Sequence, residues 1–143
     1  LFPYLSSAEL EFLGSYAPRF DQAGVRIAAT EAYWKQLADA GFAGRYIGFV
    51  SAGERGGAYK LYEILDAYPE LERDLRRGYD ARFQEAINLF YHNDFYLARN
   101  LFSTLLRACP GDGVARWYLF ACERFFNQES GEEPDYSLFG VEE

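Results

Sequence analysis

Few side chains in this sequence suit bond-making chemistry, and their spacing keeps them apart. The single histidine is His92, and the two cysteines, Cys109 and Cys122, lie thirteen residues apart with no Cys-x-x-Cys pair. A Cys/His zinc site needs about four such ligands at short spacing, so no metal site is expected. Both thiols sit in apolar helical patterns and are expected to be buried and free. His92 falls in an expected helix–helix turn, has no triad partner nearby, and reads as a surface turn residue. Glu70, Glu72 and Asp74 gather in the first turn of an expected helix, where the helix dipole favours carboxylates without any catalytic task. Arg55 is the one candidate for phosphate binding. It lies in the run Ala52-Gly53-Glu54-Arg55-Gly56-Gly57, although a glycine-rich turn is weak evidence by itself and a solvated hairpin tip is the competing reading. With no catalytic set complete, the residues point to an interaction-and-scaffold segment.

The elements that would hold these residues follow from periodicity. Leu10, Leu13 and Tyr16 fall at helical spacing, predicting a helix over 8–18 that Pro18 ends. Gly24 leads into an alternating strand over 25–29. Thr30 is placed to N-cap a helix from Glu31 to about Ala40, with Tyr33, Trp34 and Leu37 on its apolar face and Gly41 as its C-cap glycine. Two β-prone runs, 45–50 and 58–65, flank the glycine-rich segment and predict a hairpin. In the second run Tyr59, Leu61 and Glu63 share one face. Pro69 suits the first turn of a helix. Leu71, Leu75, Tyr79, Phe83, Ala86, Ile87 and Phe90 then predict one long amphipathic helix over 69–91, with Leu71, Leu75 and Tyr79 read as core. His92-Asn93-Asp94 breaks it. A helix over 95–108 buries Ala98, Leu101, Phe102, Leu105 and Leu106. After the turn at Pro110-Gly111-Asp112-Gly113, Asp112 can cap a last helix over 114–126.

The window from Tyr79 to Asp112 resembles a tetratricopeptide repeat, a helix–turn–helix unit of about 34 residues. The matching positions are Ala86, Phe90, Asn93-Asp94-Phe95, Ala98, Phe102, Leu105-Leu106 and Pro110. An ordinary helical hairpin is the plainer reading. The resemblance implies a docking or dimerisation surface. Twelve aromatics lie between Tyr79 and Phe126, more than three helices are expected to bury, so Tyr79, Tyr91, Tyr96, Trp117, Tyr118 and Phe125 are candidates for an exposed patch.

The stretch from about Gly24 to Glu63 resembles the end of the catalytic domain of bacterial class III adenylate/guanylate cyclases. Ile27-Ala28-Ala29-Thr30-Glu31 is similar to a late strand and helix start, Arg45 to Val50 to the next strand, and Leu61-Tyr62-Glu63-Ile64-Leu65 to the final strand. Many bacterial members continue into a helical tail with spacing like that of Asp94-Phe95, Ala98, Phe102 and Pro110. The resemblance implies a dimeric enzyme using Mg²⁺ or Mn²⁺ held by two aspartates, which would lie upstream of this sequence. It also implies an Asn/Arg pair whose positions fall on Leu5 and Glu9 here; a carboxylate repels phosphate where a guanidinium would hold it. A phosphate-binding Lys expected near Gly53 is absent, leaving Arg55.

Composition sets the outer limits. Half the residues are apolar and 19% aromatic, ample for a core over 143 residues. The absence of methionine and the start at Leu1 suggest a piece of a longer polypeptide. The net charge of −8 is concentrated in residues 128–143, which hold six acids and no base; residues 1–66 carry −2 and 67–127 are neutral. No basic excess points to nucleic acid, no apolar stretch approaches the ~18 residues that span a bilayer, and the low cysteine content fits a cytoplasmic protein. The expected architecture is α+β: a partial cyclase-type α/β sandwich with a short antiparallel sheet over 1–66, a three-helix tetratricopeptide-like segment over 67–127, and an acidic tail over 128–143. The tail's Tyr136, Leu138, Phe139 and Val141 would dock either on a neighbour or on their own domain. The expected role is non-catalytic: regulation, dimerisation or docking of a protein partner within a cyclase-like protein. Two alternatives remain open: a stand-alone interaction module of tetratricopeptide type, or the excised tail of an active cyclase.

Overall fold

The computed structural model describes residues 17–51, 58–126 and 136–138. The fold is α+β. Helix α1 (Ala17–Gln22) leads through a turn to β1 (Ala28–Thr30), then α2 (Glu31–Asp39), β2 (Gly44–Ser51), β3 (Ala58–Ile64) and a 3-10 turn at Leu65–Ala67. Four more helices follow: α3 (Glu70–Gly78), α4 (Asp80–Tyr91), α5 (Phe95–Ala108) and α6 (Gly113–Phe126). Of the helix expected over 8–18, residues 8–16 lie outside the described residues. Pro18 lies in α1, in the first turn, where a missing N–H costs nothing.

The sheet is antiparallel with strand order β1-β3-β2. Ala28 opposes Glu63, and Arg45 opposes Glu63 from the other side. The first strand is shorter than the alternation over 25–29 suggests, beginning at Ala28. In β2 the register shifts between Tyr46 and Gly48. This bulge gives the strand one extra residue, which lets Arg45, Ile47 and then Val50 all turn inward despite their mixed parity; all three are buried. Thr30 precedes α2 as expected, but its hydroxyl makes no cap bond. Gly41 follows α2 with φ 94°. On the outer face of the sheet Trp34 of α2 stacks on Tyr62 at 5.7 Å.

The inner face carries one continuous core. Phe20, Val25, Ile47, Val50 and Leu61 pack with Phe83, Phe90, Phe102 and Tyr118 of the helices. Helices α5 and α6 lie where periodicity placed them. Asp94 caps α5, its carboxylate accepting from the Leu97 N–H at 3.2 Å. The single helix expected over 69–91 is instead two, kinked at Tyr79 (φ −107°, ψ 9°) after Gly78. The kink lets Arg76 and Tyr79 both reach inward. As a consequence Leu71 is 83% exposed and Leu75 is also exposed, so neither is core; Arg76 is the buried residue of α3.

Candidate functional site

Among the described residues, a dense group of ionisable side chains lies between sheet and helices. Arg45, fixed on β2 opposite Glu63, is fully buried. Its Nε donates to Glu63 Oε1 at 2.8 Å, while Nη1 and Nη2 fork onto Asp112 Oδ2 and Oδ1, both at 2.8 Å. Such a bidentate fork is the strongest form of an arginine–carboxylate pair. The Arg45 guanidinium also lies 4.2 Å from the Phe83 ring centre. Asp112, at the start of α6, accepts the Ala115 N–H at 3.3 Å and the Tyr79 hydroxyl at 2.5 Å. Glu63 accepts the Tyr68 hydroxyl at 2.5 Å and Arg76 Nη1 at 3.4 Å. Arg76 lies 3.9 Å over the Tyr68 ring and donates to the Gly111 carbonyl, yet its buried Nε has no hydrogen-bond partner among the described residues.

Two guanidinium cations thus face two carboxylate anions in the interior. Burial opposes charge on all of them. For Asp112 the pull of Arg45 outweighs burial and lowers its pKa to about 2. For Arg45, burial is likewise outweighed by Glu63 and Asp112, and its pKa rises well above the usual value. Burial beside these carboxylates raises Tyr68 and Tyr79 far above the usual phenol range. The hydroxyls therefore remain donors at any physiological pH.

Gly113 shows how closely α6 approaches the preceding loop: a Cβ there would stand 1.8 Å from the Ala23 carbonyl oxygen. Beside the cluster, Asp21, Arg26, Tyr68, Glu72 and Arg76 help line a cleft of about 310 Å³. Two acids and two bases line it, so it offers no single-sign field for a charged ligand.

The residues singled out from sequence scatter. Arg55, Leu5 and Glu9 lie outside the described residues. Of the six aromatics proposed as an exposed patch, Tyr79, Tyr118 and Phe125 are buried and Tyr91 and Trp117 partly so. They cannot form that patch, because helices α4–α6 share the sheet as a second wall: Tyr118 donates to the Ile47 carbonyl at 2.6 Å and stacks on Phe102 at 5.0 Å. Tyr96 alone of the six is exposed, at 52%. It meets Phe126, 55% exposed, with ring centres 6.2 Å apart. Cys109 and Cys122 are buried free thiols, and burial pushes Cys122 up to about 12. His92 is exposed in its turn, Nδ1 lying 2.7 Å from the Asn88 carbonyl. Among the described residues no group of three His, Cys, Asp or Glu side chains is placed to hold a metal ion, and no helix is long and apolar enough to cross a membrane.

Sequence reading missed the cluster as a unit. Asp112 was legible only as a helix cap and Arg45 only as a strand residue. The available signal was Glu63, whose parity with Leu61 puts a carboxylate on a buried face, where it requires a cation.

No protein-family model matches the chain, and neither a curated protein nor a solved structure matches it significantly.

Proposed function

We propose that this chain is the C-terminal segment of an adenylate/guanylate cyclase-like signalling protein and serves it as a non-catalytic connector. The observation that carries this reading is the Arg45–Asp112 fork. Arg45 lies on a strand resembling the cyclase end, and Asp112 starts the last helix of the tail. The pair clamps one to the other, so a force or partner acting on the helices is felt at the β2–β3 hairpin. Arg45, Glu63, Asp112, Tyr68 and Tyr79 are engaged with one another rather than turned to a ligand. A complete cyclase would hold Mg²⁺ or Mn²⁺ on two upstream aspartates; Glu63 and Asp112, already engaged with guanidinium groups, do not fit that task. The protein would work in the cytoplasm as a homodimer or with a protein partner.

The test has two arms. Incubated with ATP or GTP and Mn²⁺, this chain produces no cyclic nucleotide; clear turnover overturns the non-catalytic role. The upstream region of the parent polypeptide is expected to show a cyclase pattern without two aspartates at metal-site spacing; finding both favours the reading of this chain as the excised tail of an active cyclase. An upstream region without cyclase pattern favours the second reading, a stand-alone tetratricopeptide-type module. The exposed neighbours Tyr96 and Phe126 support that reading as a docking point for an apolar partner segment.

A further inference from the structure

With strand order β1-β3-β2, β2 is an edge of the sheet. An edge strand presents backbone N–H and C=O groups on which another strand can pair. Here that backbone is met by groups that are not strands. Gln84 donates to the Tyr46 carbonyl at 2.9 Å and Tyr118 to the Ile47 carbonyl. Farther along, the tail takes over: the Leu138 N–H donates to the Phe49 carbonyl at 2.5 Å, and the Ser51 N–H donates to Ser137 Oγ at 2.9 Å.

The Phe49 C=O and the Ser51 N–H are complementary to themselves. Around a non-hydrogen-bonded antiparallel pair, the carbonyl of the residue before meets the N–H of the residue after on the facing strand, and the reverse. If Val50 of one copy stands opposite Val50 of another, Phe49 C=O of each meets Ser51 N–H of the other. The contact is a closed two-fold interface. The tail therefore covers the two groups that such a pairing needs.

We propose that Tyr136–Leu138 is a built-in guard that keeps a second copy of this chain off the β2 edge, and that its release opens a two-fold β-pairing surface centred on Val50. The guard is seated firmly. Leu138 is fully buried, the Tyr136 ring lies 6.0 Å from Phe90 and 6.3 Å from Phe125, and its hydroxyl bonds the Asn93 side chain. It is also replaceable, because a serine hydroxyl stands in for a backbone carbonyl at Ser51. Being tethered, the tail acts at an effective concentration of about millimolar, which excludes a second copy at micromolar concentration. Release also bares the apolar seat of Leu138 and the flank of the Phe49–Tyr91 stack, adding area to two hydrogen bonds that alone would be weak. The proposal supplies the control of the dimer-forming role proposed above and rests on that reading for its purpose. Its geometry does not depend on cyclase membership, so the two can fail separately.

Sedimentation velocity across a concentration series tests it. The whole chain is expected to remain monomeric at micromolar concentration, and a chain stopped after Glu133 to form dimers that grow with concentration. Ser51→Pro in the shortened chain removes the outward N–H, a change an edge strand tolerates, and is expected to restore the monomer. A shortened chain that melts cooperatively yet stays monomeric overturns the proposal, as does a dimer that Ser51→Pro leaves intact. If the shortened chain does not fold, Leu138→Ala in the whole chain takes its place. It is expected to raise Ser51 amide exchange at least tenfold and to promote the same dimer; unchanged exchange and sedimentation overturn the proposal.

Discussion

The guanidinium of Arg45 stays charged in the interior because two carboxylates face it at 2.8 Å. Removing one partner leaves a buried ion uncompensated, which costs far more than the intact pair contributes. Asp112→Asn is therefore expected to destabilise the fold by about 3–5 kcal/mol, read from the urea midpoint at neutral pH. The same residue fixes an acid limit. Its folded pKa, about 2, lies below the ordinary 3.8, so its contribution is complete above about pH 4 and is lost as pH falls from there towards 2. The shift corresponds to roughly 2 kcal/mol. Urea midpoints between pH 6 and 2 should fall steeply in that window, and Asp112→Asn should flatten this part of the fall. An unchanged slope would remove Asp112 from the list of acid-sensitive groups. Little of this was legible beforehand. A cap residue and a strand arginine separated by 67 positions carry no local sign that they meet.

Elements were more legible than their joints. Helices α5 and α6 and the β2–β3 hairpin follow from apolar period and turn residues alone, because each signal lies within the element. The kink at Tyr79 does not, since it answers to partners elsewhere: Arg76 must reach Glu63 and Tyr79 must reach Asp112. Nor does the bulge in β2. Gly48 takes φ 123°, and a Cβ there would stand 2.2 Å from the Tyr118 hydroxyl and 2.9 Å from that of Tyr91. Those two hydroxyls lie 3.1 Å apart. Gly48→Ala is expected to strain the backbone and push Tyr118 off the Ile47 carbonyl, at a cost of about 1–3 kcal/mol for the backbone alone. Thermal melting of the variant against the parent measures it. An equal melting temperature would mean that the bulge relaxes freely, contrary to its close packing.

At the scale of the whole molecule, sheet and helices share one core, and the charged cluster closes their seam. One repeat-like unit is too small to stand alone, and the sequence leaves open whether the α/β part or a partner supports it. Phe83, Phe90 and Tyr118 lie against Ile47, Val50 and Leu61 in one packed cluster, and across the seam Arg76 reaches Glu63 while Asp112 takes the fork of Arg45. A segment cut at residues 67–127 would expose that apolar face and leave Asp112 without Arg45. It is expected to keep helical far-ultraviolet dichroism, because α4–α6 have local periodicity, but to lose cooperative melting and bind a hydrophobic dye, as loosely packed compact states do. A sharp melt with well-dispersed amide resonances from that segment would show that the helices form an autonomous module, and the Arg45–Asp112 fork would then be a contact between two folded units.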